Sequence, residues 1–387
     1  MPNSHRDDLS EEHFSALFSK DVALMDVRAP VEFCAGAFPS AMNIPLLDDQ
    51  QRHLVGTEYV EHGQAAAIDL GLELATPEIR AQRMTAWQQF ITKNPHGYLY
   101  CFRGELRSQT TQQWLAEAGF HYPLIQGGYK ALRRYLLEQL ERLCDQGNII
   151  LLSGQTGVGK TELIQGRPSG VDIEGRANHR GSAFGKTFEP QPAQIDWENQ
   201  IIIDWLRCEA RSDSPVLIEA ESRLIGRIHI PKVLQKAMER APILLLQASI
   251  EDRAARLYQD YVEQSLRHYS NGTEDPYAKL HESVLDSLQR IQKRLGGLKF
   301  QLMVKLLSGA IGSLRDQNDK TGFYELIEML LTDYYDGLYA HYQNKSEPRV
   351  VSRGDWSEIS DWLQGNPQCI HFSPDAVSSH TPHKAAL

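Results

Sequence analysis

A glycine-rich turn, G154-Q-T-G-V-G-K-T161, constrains the fold of this chain more than any other segment. Residues 148–152 before it form an apolar run that reads as a buried strand, and residues 161–165 after it begin a helix. Strand, glycine turn and helix N-terminus in that order make a phosphate cradle. Backbone N–H groups of Gly154, Thr156, Gly157 and Gly159 can converge on phosphate oxygens, and Lys160 can reach the outermost phosphate. Thr161 can ligate a magnesium ion that arrives with the phosphates. Such a loop recognises phosphates and is indifferent to what they are attached to.

A second anion-binding loop, C101-F-R-G-E-L-R-S108, lies upstream. It follows the apolar run 97–100 and precedes residues 109–118, where Trp114, Leu115 and Ala118 have helical spacing. Cys101 therefore sits at the mouth of a strand-loop-helix turn, where inward-pointing N–H groups and a helix N-terminus favour a thiolate or a bound anion. Arg103 and Arg107 add charge-assisted hydrogen bonds. A cysteine that is merely a small buried hydrophobe leaves two arginines and a glycine around one thiol unexplained.

Three further segments accompany this loop: D26-V-R-A-P-V-E-F33, G36-A-F-P-S-A-M-N-I-P45 and G127-G-Y-K130. Asp26 and Arg28 end an apolar strand over 22–27, and Gly127 with Gly128 suits a tight turn before an amphipathic helix over 129–143. In this order the four segments resemble a rhodanese domain spanning about residues 8–138. The resemblance implies a cysteine that carries sulfur or selenium as a persulfide or perselenide. Five residues separate Cys101 from Arg107, a longer loop than in single-domain rhodaneses. It is similar to that of cell-cycle phosphatases built on the same fold, which implies room for a tetrahedral, phosphate-like donor. Residues 48–95 are an insertion with helical spacing over 76–90, and the spacing does not reveal its purpose.

Apolar strands at 170–173, 215–219, 242–247 and 349–352 alternate with helical stretches, which predicts an α/β fold with a parallel, doubly wound sheet of the nucleotide-kinase type. This P-loop domain is expected over 145–365, with a helical insertion at about 249–345 and a disordered tail over 366–387. Ligands of such sheets collect beyond the carboxyl ends of the strands, so Asp172, Glu174, Glu219 and Glu221 are expected to face the phosphates. Glu219 stands where an ATP-hydrolysing loop more often has aspartate. The polar loop V171-D-I-E-G-R-A-N-H-R-G-S-A-F-G185 offers Asn178, His179, Arg180 and Ser182 to an anionic substrate, and Arg223 and Arg227 add positive charge.

Taken in order, the rhodanese segments, the phosphate loop, A177-N-H-R-G-S-A-F-G185 and E221-S-R-L-I-G226 resemble the bacterial tRNA 2-selenouridine synthase family up to about Gln364. Arg176 departs from the apolar residue more usual there. The resemblance implies conversion of wobble 2-thiouridine to 2-selenouridine in tRNA through an S-geranyl intermediate. Geranyl diphosphate and selenophosphate would be the co-substrates, tRNA the partner, and a selenophosphate-supplying enzyme a further one. On this implication the phosphate loop holds a prenyl diphosphate. Tyr258, Tyr261, Tyr334, Tyr335 and Tyr339 are then either core or wall of a prenyl pocket, core being favoured residue by residue.

No apolar stretch reaches membrane-spanning length, M1-P-N-S-H-R6 has no apolar signal region, and the five cysteines lack metal-ligand spacing. Reduced thiols in a cytoplasmic enzyme are the expectation. A formal net charge of −10 argues against nonspecific nucleic-acid binding. Contact with tRNA would rest on local clusters: Arg133, Arg134 and Arg142, or Lys293, Arg294, Lys299 and Lys305. An alternative is a rhodanese-type sulfurtransferase or phosphatase fused to an ATP-dependent RNA-binding P-loop domain. A phosphatase alone leaves the second half unexplained, and an ATP-driven protein leaves Cys101 idle.

Overall fold

The computed structural model describes residues 8–146, 148–182, 184–212, 214–339 and 347–365. The expected tail over 366–387, with Cys369, lies outside the described residues. The chain divides into two units, Met1–Arg142 with Pro192–Ala210, and Leu143–Gln191 with Arg211–Leu387.

The first unit is built on three short parallel strands, β1 (Leu24–Asp26), β2 (Ala41–Asn43) and β3 (Tyr98–Tyr100), in the order β2-β1-β3. Parallel strands require cover on both faces, and all of β1 is buried. Met25, Trp87, Leu99, Trp114 and Leu115 belong to the core on one side. Asp26 ends β1 fully buried, and its carboxylate accepts from Arg28 Nε at 2.9 Å and Nη2 at 2.6 Å. A buried charge is tolerable only when paired and hydrogen-bonded. Arg28 meets that condition, donating also to the Gly36 carbonyl at 2.8 Å and lying 3.9 Å above the Tyr129 ring.

The insertion folds as two helices, Asp49–Leu74 and Pro77–Lys93. The second covers the stretch over 76–90 whose spacing predicts a helix; Thr76 caps it, and Trp87 anchors it with Nε1 donating to the Ile44 carbonyl at 3.0 Å. The first helix is capped by Asp48, is interrupted at Gly63, and leaves Leu54, Tyr59, Val60 and Leu72 exposed. Its apolar residues do not line up as one stripe facing the core, so periodicity alone did not reveal it.

Helix Gln194–Arg211 falls within the sequence limits of the second domain, yet residues up to Ala210 cluster with the first unit. Side chains explain the grouping. Asp196 accepts from the Ala37 N–H at 2.7 Å, Asn199 donates to the Ala37 carbonyl at 2.7 Å, and Arg133 pairs with Glu198.

In the second unit β4 (Ile149–Ser153), β5 (Gly170–Val171), β6 (Val216–Glu219), β9 (Ile243–Leu246) and β10 (Val350–Gly354) form a parallel sheet ordered β10-β9-β4-β6-β5. A small antiparallel hairpin, β7 (Leu224–Ile225) with β8 (Ile228–His229), turns at Gly226 and was not anticipated. The strand order runs outward from β4 in both directions, so the loop leaving β4 opens at the switch point where α/β sheets bind ligands. Residues 250–339 are mostly helical around a core that includes Leu288, Met303, Leu307, Phe323 and Leu331. Tyr258, Tyr334 and Tyr335 belong to this core. Among the described residues no helix is long and apolar enough to cross a membrane.

Substituting Asp26→Asn leaves Arg28 buried beside a neutral partner. A loss of about 3–5 kcal/mol is expected for a broken buried pair. Hydrogen-exchange mass spectrometry in urea should show peptides covering β1–β3 opening at lower denaturant, while those covering β4 and β6 keep their midpoint.

Candidate active site: a thiol loop and a phosphate loop

Cys101 follows β3 directly, and its Sγ lies 3.9 Å from the Glu105 carbonyl, closing a tight loop over residues 101–105. Backbone packs on backbone beneath it. Gly128 has φ +56°, and a Cβ there would overlap the Cys101 carbonyl oxygen and the Gly104 amide nitrogen. The helix Gly128–Gln146 then donates from Tyr129 N–H to the Cys101 carbonyl at 2.9 Å and from Lys130 N–H to that of Phe102 at 3.0 Å. The G127-G-Y-K130 segment is thus the floor of the thiol loop.

The next helix runs Leu106–Glu117, starting three residues earlier than its apolar spacing suggests. Arg107 consequently sits in its first turn and makes a bidentate pair with Glu32, at 2.5 and 3.1 Å. Burial opposes the charge on both partners, but their mutual hydrogen bonds prevail. Glu32 is held below the usual carboxylate range and Arg107 above the usual guanidinium value. The loop sequence predicts that Arg107 binds an anion, and no spacing signal marks Glu32 as its partner. In the structure Glu32 takes two of the five guanidinium donors. Arg103 lies exposed on the loop. A cleft of about 1420 Å³ reaches Cys101, Arg103 and Arg107, and the insertion helices supply its opposite wall through residues such as Val55, Tyr59 and Leu72.

In the second unit the phosphate loop joins β4 to helix Lys160–Gln165, with Gly159 left-handed at the helix N-cap (φ 93°). Lys160 Nζ donates to the Gly154 carbonyl at 3.0 Å. The loop is braced by a residue with no motif around it. Arg253 is 3% exposed, and its Nε donates to the Thr156 carbonyl at 2.9 Å. Its other nitrogens reach Gln155 Oε1 at 3.2 Å and the Asp336 carboxylate at 2.6 and 3.1 Å. Arg256, one turn on, lines the cleft over the phosphate loop and lies 3.5 Å from Glu162. Both arginines belong to helix Ile250–Tyr258, whose apolar face already accounts for its sequence.

A cleft of about 1230 Å³ brings together Gly154, Thr156, Gly157, Gly159, Lys160 and Thr161. Asp172, His179, Arg180, Ser182 and Arg223 share it. Asp172 also caps helix Ile173–Arg176, accepting from Gly175 N–H and Gln165 Nε2 at 2.6 Å each. Burial pushes His179 below the usual imidazole range, and its Nδ1 accepts from Gly181 N–H at 3.1 Å. Arg180 donates to Gln264 Oε1 at 2.9 Å and lies 5.1 Å above the Tyr261 ring.

Two expected site residues lie outside the cleft lining. Asn178, at φ +48°, donates to the Pro190 carbonyl at 2.9 Å and braces the polar loop. Glu219 is fully buried, with Oε2 accepting from Ile173 N–H at 3.2 Å and Oε1 unpartnered. Burial, then the neighbouring Asp172 and Glu174, hold Glu219 well above the usual carboxylate range. Glu221, partly exposed at its surface, is raised by the packing around its carboxyl and by a hydrogen bond with Glu174, while Lys160 opposes the shift. These groups crowd under Gly181, where a Cβ would overlap Glu174 Oε1 and lie 2.9 Å from Glu221 Oε1. Among the described residues no group of three or more His, Cys, Asp or Glu is arranged to hold a metal ion.

Two tests follow from this geometry. Folded Glu219 keeps a proton that the unfolded chain releases, so its cost is absent below about pH 4.5 and grows as pH rises. Glu219→Gln should therefore raise the urea midpoint at pH 8 and leave it unchanged at pH 4; an equal midpoint at pH 8 would place the charge elsewhere. Arg253→Met should lower stability by about 3 kcal/mol and weaken inorganic pyrophosphate binding about tenfold, or 1.4 kcal/mol, by calorimetry.

Comparison with known proteins matches residues 10–135 to the model of the rhodanese-like domain and residues 147–369 to that of the tRNA 2-selenouridine synthase AAA domain. A tRNA 2-selenouridine synthase of Marinobacter nauticus is 44% identical over 90% of this chain and 95% of its own length. Relatives of the same name from Shewanella piezotolerans and Pseudomonas syringae pv. tomato are 42% and 43% identical, over 92% and 90% of this chain and 99% and 96% of theirs. With both domains matched in order and the similarity running through nearly the whole chain, this protein belongs to the tRNA 2-selenouridine synthase family.

Proposed function

We propose that this chain converts 2-thiouridine at the wobble position of tRNA to 2-selenouridine through S-geranyl-2-thiouridine, in the cytoplasm. The observation that carries this reading is the presence of a thiol loop and a phosphate loop, each opening into its own cleft.

In the first step the thiouridine sulfur attacks C1 of geranyl diphosphate. The C1–O bond breaks, diphosphate leaves with the bonding pair, and the base loses its N3 proton. Positive charge from Lys160, Arg180 and Arg256, all lining one cleft, would stabilise the departing diphosphate. Thr161 is the residue that would hold a magnesium ion carried by the diphosphate, and such an ion would add charge neutralisation.

In the second step the Cys101 thiolate, instead of carrying selenium as the perselenide that the rhodanese resemblance implies, attacks the phosphorus of selenophosphate and displaces hydroselenide. Hydroselenide adds at C2 of the geranylated base, geranylthiolate leaves, and water releases phosphate from the cysteine. Arg103 and the remaining donors of Arg107 would bind the phosphoryl oxygens. A selenophosphate-forming enzyme would supply the donor.

Of the basic clusters, Arg133, Arg134 and Arg142 are paired with Glu198, Glu11 and Glu209. Lys299 is paired with Asp333 at 2.8 Å. Contact with tRNA phosphates is therefore assigned to Lys293, Arg294 and Lys305.

Nucleoside mass spectrometry of tRNA tests both steps. Cys101→Ser should accumulate S-geranyl-2-thiouridine and form no 2-selenouridine. Lys160→Ala should lower geranylation at least about 100-fold while still selenating tRNA that is already geranylated. Robust tRNA-stimulated ATP hydrolysis, with geranylation untouched in the Lys160 variant, would overturn the assignment of the phosphate loop.

A further inference from the structure

The helical part of the second unit contains two turns wider than an α-turn, Gln259–Glu263 and Leu331–Tyr335. Such π-turns are rare, occur mostly as single turns within α-helices, and are frequent at functional sites. Both fall on the phosphate cleft. Tyr261 of the first and Tyr334 and Tyr335 of the second line it, with Leu257 before the first turn and Leu338 and Tyr339 after the second.

These side chains form one aromatic group. The Phe184 ring lies 6.2 Å from that of Tyr261 and 6.4 Å from that of Tyr335, and the Tyr334 and Tyr335 rings are 5.0 Å apart. Tyr339 lines the cleft one turn after Tyr335, its hydroxyl 2.9 Å from Oγ of Ser153, the last residue of β4. The cleft therefore carries cationic side chains at Lys160, Arg180 and Arg256 and aromatic and aliphatic ones at the π-turns, with Arg180 lying over the Tyr261 ring where the two sets meet. That combination fits a ligand with an anionic head and an apolar tail. Aromatic faces also stabilise positive charge, which develops on an allylic carbon as diphosphate departs. The volume of about 1230 Å³ exceeds the roughly 300–1,000 Å³ usual for one small ligand, as a site admitting both a prenyl diphosphate and a nucleobase requires.

We propose that the two π-turns build the seat of the isoprenoid tail, and that Tyr261, Tyr334, Tyr335, Tyr339, Leu257 and Leu338 set the chain length accepted. This rests on the prenyl-transfer reading above. Leu338 is the position to test because it is 38% exposed, so changes in its size spare the helical core.

The experiment uses the full chain, tRNA carrying 2-thiouridine, and dimethylallyl, geranyl and farnesyl diphosphates as donors. Leu338→Trp should shift kcat/KM toward dimethylallyl over geranyl at least about tenfold, and Leu338→Ala should shift it toward farnesyl, as expected for methylene-scale changes in an apolar pocket. Inhibition by inorganic pyrophosphate should match the wild type in both variants, because the phosphate loop is untouched. Wild-type donor preference in both, with normal pyrophosphate inhibition, would overturn the tail site alone. Absence of transfer from all three donors by the wild-type chain would instead overturn the prenyl-transfer reading and this inference with it.

Discussion

The buried pair of Asp26 and Arg28 is tied to the thiol loop through Tyr129. Arg28 is held by the Asp26 carboxylate at the end of β1 and spends its remaining contacts on the Gly36 carbonyl and the Tyr129 ring. Tyr129 in turn donates its N–H to the Cys101 carbonyl. A displacement of Arg28 would reach the cysteine through two contacts. Glu32, four residues after Arg28, pairs with Arg107 from the other side of the loop. One short segment therefore fixes the loop at both ends, which explains why its charged residues are largely buried.

The second unit solves the same problem with parts far apart in sequence. The phosphate loop supplies its own glycines and lysine, but its backbone is held by Arg253, and Arg253 is held by Asp336. Asp336 directly follows the second π-turn, and Arg253 lies shortly before the first. The helical portion is thus a brace for the phosphate loop as well as a cover. A change in either π-turn would be felt at Thr156 through this arginine.

What was legible in the sequence was whatever chemistry forces into adjacent positions. The phosphate loop, the cysteine loop and the glycine pair at Gly127–Gly128 are local, because peptide groups must turn inward within a few residues, and the parallel strands appear as short apolar runs. Arg253 and Arg256 were not legible, because a helix with an apolar face accounts for its own sequence whatever its charged residues grip. Glu32 was quoted within a motif but carried no spacing signal tying it to Arg107. Asn178 and Glu219 were legible as polar residues in the right place, yet a polar residue beside a site can be its scaffold: one holds Pro190 and the other Ile173. The helix Asp49–Leu74 escaped because its apolar residues point into a cleft and solvent as well as toward the core.

The acidic residues near the phosphate loop pose an electrostatic question that burial answers. Asp172, Glu174, Glu219 and Glu221 would repel a diphosphate if all were ionised. Burial first, then the neighbouring carboxylates, hold Glu219 and Glu221 well above the usual carboxylate range, and Glu221 also shares a hydrogen bond with Glu174. Burial beside other carboxyls favours the neutral form of Glu219 and Glu221, as it does in paired-carboxylate sites generally. The formal charge of −10 therefore overstates the negative potential near Lys160. Glu219, one methylene longer than aspartate, accepts from Ile173 N–H in the helix that opens the polar loop. Its carboxyl orders backbone there, and the cationic side chains around the cleft are the groups that would meet the anionic head of the proposed prenyl donor.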